Sequence, residues 1–333
     1  MRQLNALRPR PALLALLLAL ANPLAAVAAD HVLTDITVTT AAGAYRIGTI
    51  DVRGTDLGRD EVQALFDAKA RDPLAVRLAR LSAREIVIPE LVLEQATASG
   101  KRATVYRDIR FSDIRKGLAA KAATSGAVGT IERQDKSPQK LIMGPMTVEA
   151  VDLSAIARLM TETRGQTDAP VLLAYKSLAV DGLRVTGEKS PVFEIGRMSG
   201  TDLAMRPQSE PLSALSKRFS DMQEKAKGGS PDFVAMFGAL ELIDGFEASS
   251  LEMTGIKFAD TPESAAANDR KEAVSGSIGR IAVALPAKAP STFSVEGIDI
   301  TSDKARVKFD ALKLDGFSVK PTLEGLRAWL ARP

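Results

Sequence analysis

Apolar and polar residues alternate along much of the chain, and the alternation repeatedly changes phase at a glycine. In the segment LAVDGLRV, Leu178 and Val180 precede Gly182, and Leu183 and Val185 follow it in the opposite phase. The same eight-residue phrase recurs along the chain. The five glycines at its centre are Gly54, Gly182, Gly255, Gly297 and Gly316.

Alternation with a period of two predicts strands with one buried face. A phase change at glycine predicts a β-bulge, because a bulge inserts one extra residue and often needs the left-handed conformation that glycine tolerates. Such a bulge at Gly316 would let Leu312, Leu314, Phe317 and Val319 share one buried face. The alternative is that each glycine marks a turn between two short strands.

Two related patterns extend the repeat. Four segments fit the same frame with another residue in place of the glycine, namely Glu85, Asp113, Ala150 and Asp202. A second phrase of four residues precedes or opposes the first. It consists of an apolar residue, a glycine, any residue and another apolar residue, as in Ile47-Gly48-Thr49-Ile50. Its glycines are Gly48, Gly129, Gly196 and Gly279, with Gly144 in a looser copy. Self-similarity of this kind indicates a repeat architecture.

Short amphipathic segments interrupt the strands and predict helices. They cover Arg59 to Ala70 with Asp60 as its cap, Asp152 to Met160, Pro211 to Ala226, Asp232 to Ile243 and Thr322 to Ala331. Because such helices must bury an apolar stripe, we expect them to pack on the sheet. The predicted fold is therefore α+β and β-dominated: an elongated, twisted antiparallel sheet of repeated bulged strands carrying short helices. Residues 30–333 form one domain, with a helical insertion at about 205–245.

The first 29 residues have the composition of a signal peptide. Arg2, Arg8 and Arg10 precede an apolar run, and Ala26-Val27-Ala28 offers a cleavage site. The alternative is an uncleaved membrane anchor, although Asn22 and Pro23 interrupt the apolar run before it reaches about 20 residues. We expect cleavage and export to the periplasm, and the absence of cysteine excludes disulfides and thiol catalysis.

Charge gives no support for a nucleic-acid partner. The chain has 44 basic and 41 acidic residues, and three of the basic ones lie in the leader, so the mature chain is formally neutral. Aromatic residues are only 5% of the chain, which also disfavours base stacking. The basic isoelectric point therefore reflects the leader, and the sequence leaves membrane association open.

Candidate catalytic residues are few. His31 is the only histidine and stands near the predicted mature terminus, where we expect a frayed and solvated position. Asp56, Asp60, Glu61 and Asp202 are the notable carboxylates, and their spacing predicts helix capping better than a calcium loop. Trp329 is predicted to cap a core, or otherwise to touch a membrane or partner. The sequence predicts no enzyme, cofactor or metal site, and the five glycines are interpreted as structural.

The repeated phrases, such as LAVDGLRV and LKLDGFSV, resemble the repeats of AsmA-like envelope proteins. This resemblance implies a long coiled sheet that forms a lipid-conducting groove, but it assigns no functional residue. The chain departs from those proteins in its predicted cleaved signal and interspersed helices. We therefore expect a non-enzymatic periplasmic protein that binds lipid or another hydrophobic ligand on a curved sheet. The alternative is a structural protein of the envelope that binds protein partners through sheet edges or its helical face.

Overall fold

A computed structural model describes most of the chain. The described residues are 28–40, 43–67, 69–97, 100–133, 136–163, 170–187, 190–208, 210–212, 214, 245–260, 273–286 and 289–317. The predicted leader up to residue 27, the helices at 232–243 and 322–331, and most of the helix at 211–226 lie outside them. Val319 and Trp329 lie outside them as well.

Within these ranges the chain forms fourteen strands and three short helices. In chain order they are β1 Ala29–Thr40, β2 Gly43–Thr55, α1 Arg59–Ala64, α2 Leu74–Leu78, β3 Ala83–Thr97, β4 Gly100–Arg115, β5 Leu118–Thr124, β6 Gly126–Arg133, β7 Lys136–Met143, β8 Met146–Asp152, α3 Leu153–Thr161, β9 Leu172–Gly187, β10 Ser190–Met205, β11 Phe246–Ala259, β12 Val274–Leu285, β13 Ser291–Ser302 and β14 Arg306–Phe317. The predicted β-dominated fold class is confirmed.

All fourteen strands belong to one antiparallel sheet with a simple order. Neighbours follow β1-β2-β3-β4-β5-β8-β9 and then continue in sequence to β14. β6 pairs with β4 and β7, and β7 pairs with β9, so β5 and β6 lie end to end beside β4. β7 and β8 likewise lie end to end beside β9. Almost every strand therefore pairs with its neighbour in sequence.

The helices begin where local capping groups allow. Asp152 Oδ1 accepts a hydrogen bond from the Ala155 backbone N–H (2.8 Å) at the start of α3, close to the predicted boundary. α1 is shorter than predicted and its cap is Gly58 rather than Asp60, with Glu61 Oε2 accepting from the Gly58 N–H (2.8 Å). The sequence patterns did not predict α2. Its Ala75 carbonyl accepts from Ser154 Oγ (3.0 Å), which connects α2 to α3.

The main core lies between one face of the first eight strands and the helices. Ile50, Val52 and Val62 are almost completely buried, and they belong to one cluster with Ile114 and Val148. Val62 belongs to α1, whereas the other four belong to three strands, β2, β4 and β8. The helices therefore cover the apolar face at the N-terminal end of the sheet, as the amphipathic patterns predicted.

All five phrase glycines adopt positive φ, between 63° and 92°. At Gly54 the register shifts, because Ala29 pairs with Thr55 whereas His31 pairs with Val52. A similar shift occurs at Gly316 between β13 and β14. One extra residue therefore stands in β2 and in β14, as a bulge requires.

At the other three glycines the prediction of a bulge is wrong, because the neighbouring strand changes phase as well and the register is preserved. Around Gly182, Asp181 pairs with Arg197 and Leu183 pairs with Ile195, which places Gly182 opposite Gly196. The second phrase thus lies beside the first, and their two phase changes match. Gly255 and Gly297 are matched to the second phrase in the same way.

These matched positions form a continuous row of glycines across the sheet. From the register on each side, the row contains Gly144, Gly182, Gly196, Gly255, Gly279 and Gly297. The backbones approach closely along it: a methyl group on Gly144 would lie 1.9 Å from the Asp181 carbonyl oxygen. We call these six residues the glycine row.

A second row contains residues with side chains in the same strained conformation. Asp113, Ala150 and Asp202 have φ of 52°, 48° and 52°. They stand in β4, β8 and β10, at the positions that the degenerate phrases marked. Glu85 differs, because it is regularly paired with Arg53 and Ser112 and does not have positive φ. Three of the four degenerate copies therefore mark a residue in the left-handed conformation.

The sequence interpretation is also wrong about burial beside Gly316. Leu312 and Leu314, expected to be buried beside Gly316, are 59% and 53% exposed. They lie on β14, which pairs only with β13 among the described strands. The bulge preserves a common face, but burial of that face requires a covering layer that alternation alone cannot specify.

Candidate functional site

A continuous row of apolar side chains crosses the C-terminal six strands beside the glycine row. Each member pairs directly with the next, from β9 to β14. The row contains Val180, Met198, Met253, Ile281, Val295 and Leu312. Because directly opposed residues in a sheet point to the same face, these six side chains form one apolar strip.

A second apolar row runs on the other side of the glycine row. It contains Leu183, Ile195, Ile256, Ile278, Ile298 and Phe309. Both rows point to one side, as β10 illustrates: Ile195 is buried and Met198 half-buried, whereas Gly196 and Arg197 between them are exposed. We call the two rows together the open apolar face, because their last members, Leu312 and Phe309 in β14, are exposed.

Only the β14 members of this face are exposed, and the members in β9 to β13 are buried or half-buried. Val180 in β9 is 3% exposed, Val295 in β13 is 8% exposed, and Leu312 in β14 is 59% exposed. In the other row Phe309 is also 59% exposed. Monomeric proteins rarely leave large contiguous apolar patches in water without a binding role. The edge of the open apolar face is therefore a candidate binding surface.

Polar positions between the two rows, and next to them in β11, carry ion pairs. Asp181 pairs with Arg197 (Oδ1–Nη1 2.5 Å), and Arg280 donates to both Glu252 (2.8 Å) and Glu296 (3.2 Å). The hydrogen bond from Arg280 lowers the pKa of Glu252. These ion pairs join neighbouring strands and give the sheet one apolar and one charged face.

The strongest electrostatic shift lies at the C-terminal edge. Arg306 donates to both carboxylate oxygens of Asp299 (2.8 and 2.6 Å), and Lys308 lies 3.3 Å from Oδ2. Mainly through the Arg306 hydrogen bonds, the pKa of Asp299 falls to about 2. This bidentate pair fastens the first residue of β14 to β13.

The structure places His31 differently from the sequence expectation. His31 is not frayed: it lies in β1, pairs with Val52, and its Nε2 is 2.9 Å from the Leu57 carbonyl oxygen. It is half-buried, and its contact with Leu57 connects β1 to the loop that leads to α1.

The candidate carboxylates do not come together. Asp56, Asp60 and Glu61 are near the start of α1, whereas Asp202 is in β10, at the other side of several strands. Asp202 accepts from Lys176 and from Ser249 Oγ (2.7 Å), which lowers its pKa. Among the residues that the structure describes, no group of three or more acidic or histidine side chains could hold a metal ion.

No helix within the described ranges is long and apolar enough to span a membrane. In comparisons with known proteins, no family model, curated protein or solved structure matches the chain. The resemblance to AsmA-like proteins therefore stays a prediction, and the geometry of the open apolar face is the basis for assigning a function.

Proposed function

We propose that this is a non-enzymatic protein, exported to the periplasm, that binds lipid or another hydrophobic molecule on the open apolar face. The observation that supports this most directly is the unbroken strip from Val180 to Leu312, exposed at its β14 end. Its members are large aliphatic or thioether side chains. A ligand without charge or hydrogen-bonding groups along its length would suit this strip.

The dimensions of the strip fit an extended acyl chain. Six adjacent strands are separated by five spacings of about 4.8 Å, so the strip is roughly 24 Å long. One leaflet of a bilayer core is about 15 Å thick, half of the full core. An acyl chain lying across the strands would therefore be shorter than the strip, and its first contact would be Leu312, the exposed member.

Burial at the strip would supply the binding energy. Contact removes apolar surface of both ligand and protein from water, at about 25 cal/mol per Å². The charged side of the sheet, with Arg197 and Arg280 in ion pairs, is unsuited to acyl chains. Binding should therefore be restricted to one side of the sheet.

The direct test is to purify the protein under mild conditions and analyse extracted lipids by mass spectrometry. Binding of a fluorescent fatty acid to the delipidated protein then gives an affinity. We expect Met198→Gln and Met253→Gln to weaken binding, because both side chains are half-buried members of the strip. The matched control is Leu118→Gln, an exposed residue on β5 outside the strip.

Two outcomes would contradict the proposal. One is a protein that carries no lipid and does not bind the fatty acid at concentrations where a lipid carrier would. The other is equal loss of binding in the control and strip variants, because it would show that the affinity for the fatty acid does not depend on the strip. Folding of each variant is checked by circular dichroism.

The alternative function is a structural role in which envelope proteins bind to a sheet edge or to the helical face. The exposure of β14 favours this candidate, because one edge of β14 pairs with no described strand and a free strand edge can accept another strand. Crosslinking in cells discriminates: a stoichiometric protein partner without bound lipid supports the structural role.

A further inference from the structure

The edge strand β14 is an exposed strand of unusual composition. Every residue from Arg306 to Gly316 is exposed, and β14 pairs only with β13 among the described strands. Four of its large apolar side chains are 44–59% exposed: Val307, Phe309, Leu312 and Leu314. Edge strands usually carry features that prevent pairing with other chains. β14 has Lys308, Lys313 and the bulge at Gly316 as such features, but its apolar side chains share one exposed side.

The spacing of its apolar residues restricts which strand could pair with it. Phe309 pairs with Ile298 and Leu312 pairs with Val295, so these two residues face the same side although they are three positions apart. An added strand that continued both rows must also carry two apolar residues three apart. β14 itself meets this requirement.

We propose that β14 is the interface of a symmetric dimer, in which it pairs antiparallel with β14 of a second copy. In the register that continues both rows, Phe309 of each copy lies opposite Leu312 of the other, and Val307 lies opposite Leu314. The contact is the same from both sides, as a two-fold axis requires. This inference does not depend on lipid binding.

The charged side of β14 is largely complementary in the same register. Arg306 lies opposite Asp315 of the second copy, and Asp310 and Asp315 are diagonal to Lys313 and Lys308. Diagonal neighbours are within reach of long side chains. The exception is Lys308, which lies directly opposite Lys313, and this like-charge contact makes the register testable.

Sedimentation of the delipidated full chain is the first test, and we expect a concentration-dependent dimer. Lys313→Glu is expected to tighten the dimer about tenfold, because it converts two like-charge contacts into opposite-charge contacts. Adding Lys308→Glu to that variant should remove the gain, since the two glutamates would then be opposed. Leu312→Lys should give a monomer, whereas Val32→Lys, at the exposed β1 edge, should not.

Disulfide crosslinking measures the register directly, because the chain has no cysteine of its own. Opposed residues are close enough for a disulfide, whereas identical residues in this register are five positions, roughly 17 Å, apart. Oxidation should therefore crosslink a mixture of the Lys308→Cys and Lys313→Cys proteins, and neither protein alone. A monomer at all concentrations up to about 1 mM would overturn the proposal. Equal crosslinking of the single proteins would overturn it as well.

Discussion

Gly255 in β11 lies opposite Gly196 in β10, and a methyl group added to Gly255 would be 3.4 Å from the Gly196 Cα. Gly255 has φ of 64°, whereas Gly196 does not have positive φ. Two different phrases of the sequence therefore meet at one point, where both strands change phase together. Because both strands change phase at the same point, they keep their register. The apolar residues before and after the glycine then lie on the same side of the sheet.

The first prediction concerns the glycine row. Gly255→Ala should lower the free energy of unfolding by about 1–2 kcal/mol, the cost of a left-handed conformation for a residue with a side chain. Urea unfolding measures the change. Gly48→Ala is the control, because Gly48 does not have positive φ and an added methyl group meets nothing within 4 Å. Equal destabilisation by the two variants would contradict this account.

The second prediction concerns the opposite substitution, from alanine to glycine, at a position with positive φ. Ala150 has φ of 48°, so Ala150→Gly should remove strain and leave stability equal or higher by about 0.5–1 kcal/mol. Ala119→Gly in β5 should be destabilising, since Ala119 is completely buried and is not in the left-handed region. Thermal or urea unfolding gives both values. Loss of stability in Ala150→Gly would show that the side chain contributes more than its strain costs.

The third prediction concerns the dependence of stability on pH. Arg306 holds the pKa of Asp299 at about 2 in the folded protein, below its ordinary value of 3.8. The contribution of this carboxylate is therefore complete above about pH 4–5 and is lost as the pH falls through 2. In Asp299→Asn this decrease should be absent, so the stability difference between the two proteins should shrink across that interval. Urea unfolding from pH 5 to 2 measures it.

The pH prediction has an independent check in salt. Because Asp299 and Arg306 are both partly exposed, added salt should reduce the stability difference at pH 7. A difference that is constant from pH 5 to 2 would contradict the assignment of the ion pair.

The fourth prediction concerns the start of α3. Asp152→Ala should cost about 1 kcal/mol, because the Ala155 N–H loses its acceptor at the helix N-terminus. Asp152→Asn should keep most of the stability, since asparagine is also a good cap. If both variants lose the same amount, the negative charge rather than the hydrogen bond is responsible.

Part of the candidate site could be predicted from sequence. The positions Gly182, Gly255 and Gly297 marked left-handed residues, and the flanking apolar residues marked the strands' apolar side. The pairing of each phrase with a phase change in its neighbour could not be predicted. Register depends on which strands become neighbours, and the sheet order is a tertiary property.

The sequence by itself determined the β-dominated class and the left-handed conformation at the five phrase glycines, because alternation and glycine act locally. Tertiary structure alone decided that His31 is held within the sheet and that Leu312 and Leu314 are exposed. Alternation defines which side chains share a face. Whether water, a helix or another molecule covers that face depends on distant parts of the chain, and here the helices cover the N-terminal end of the sheet while β14 stays open.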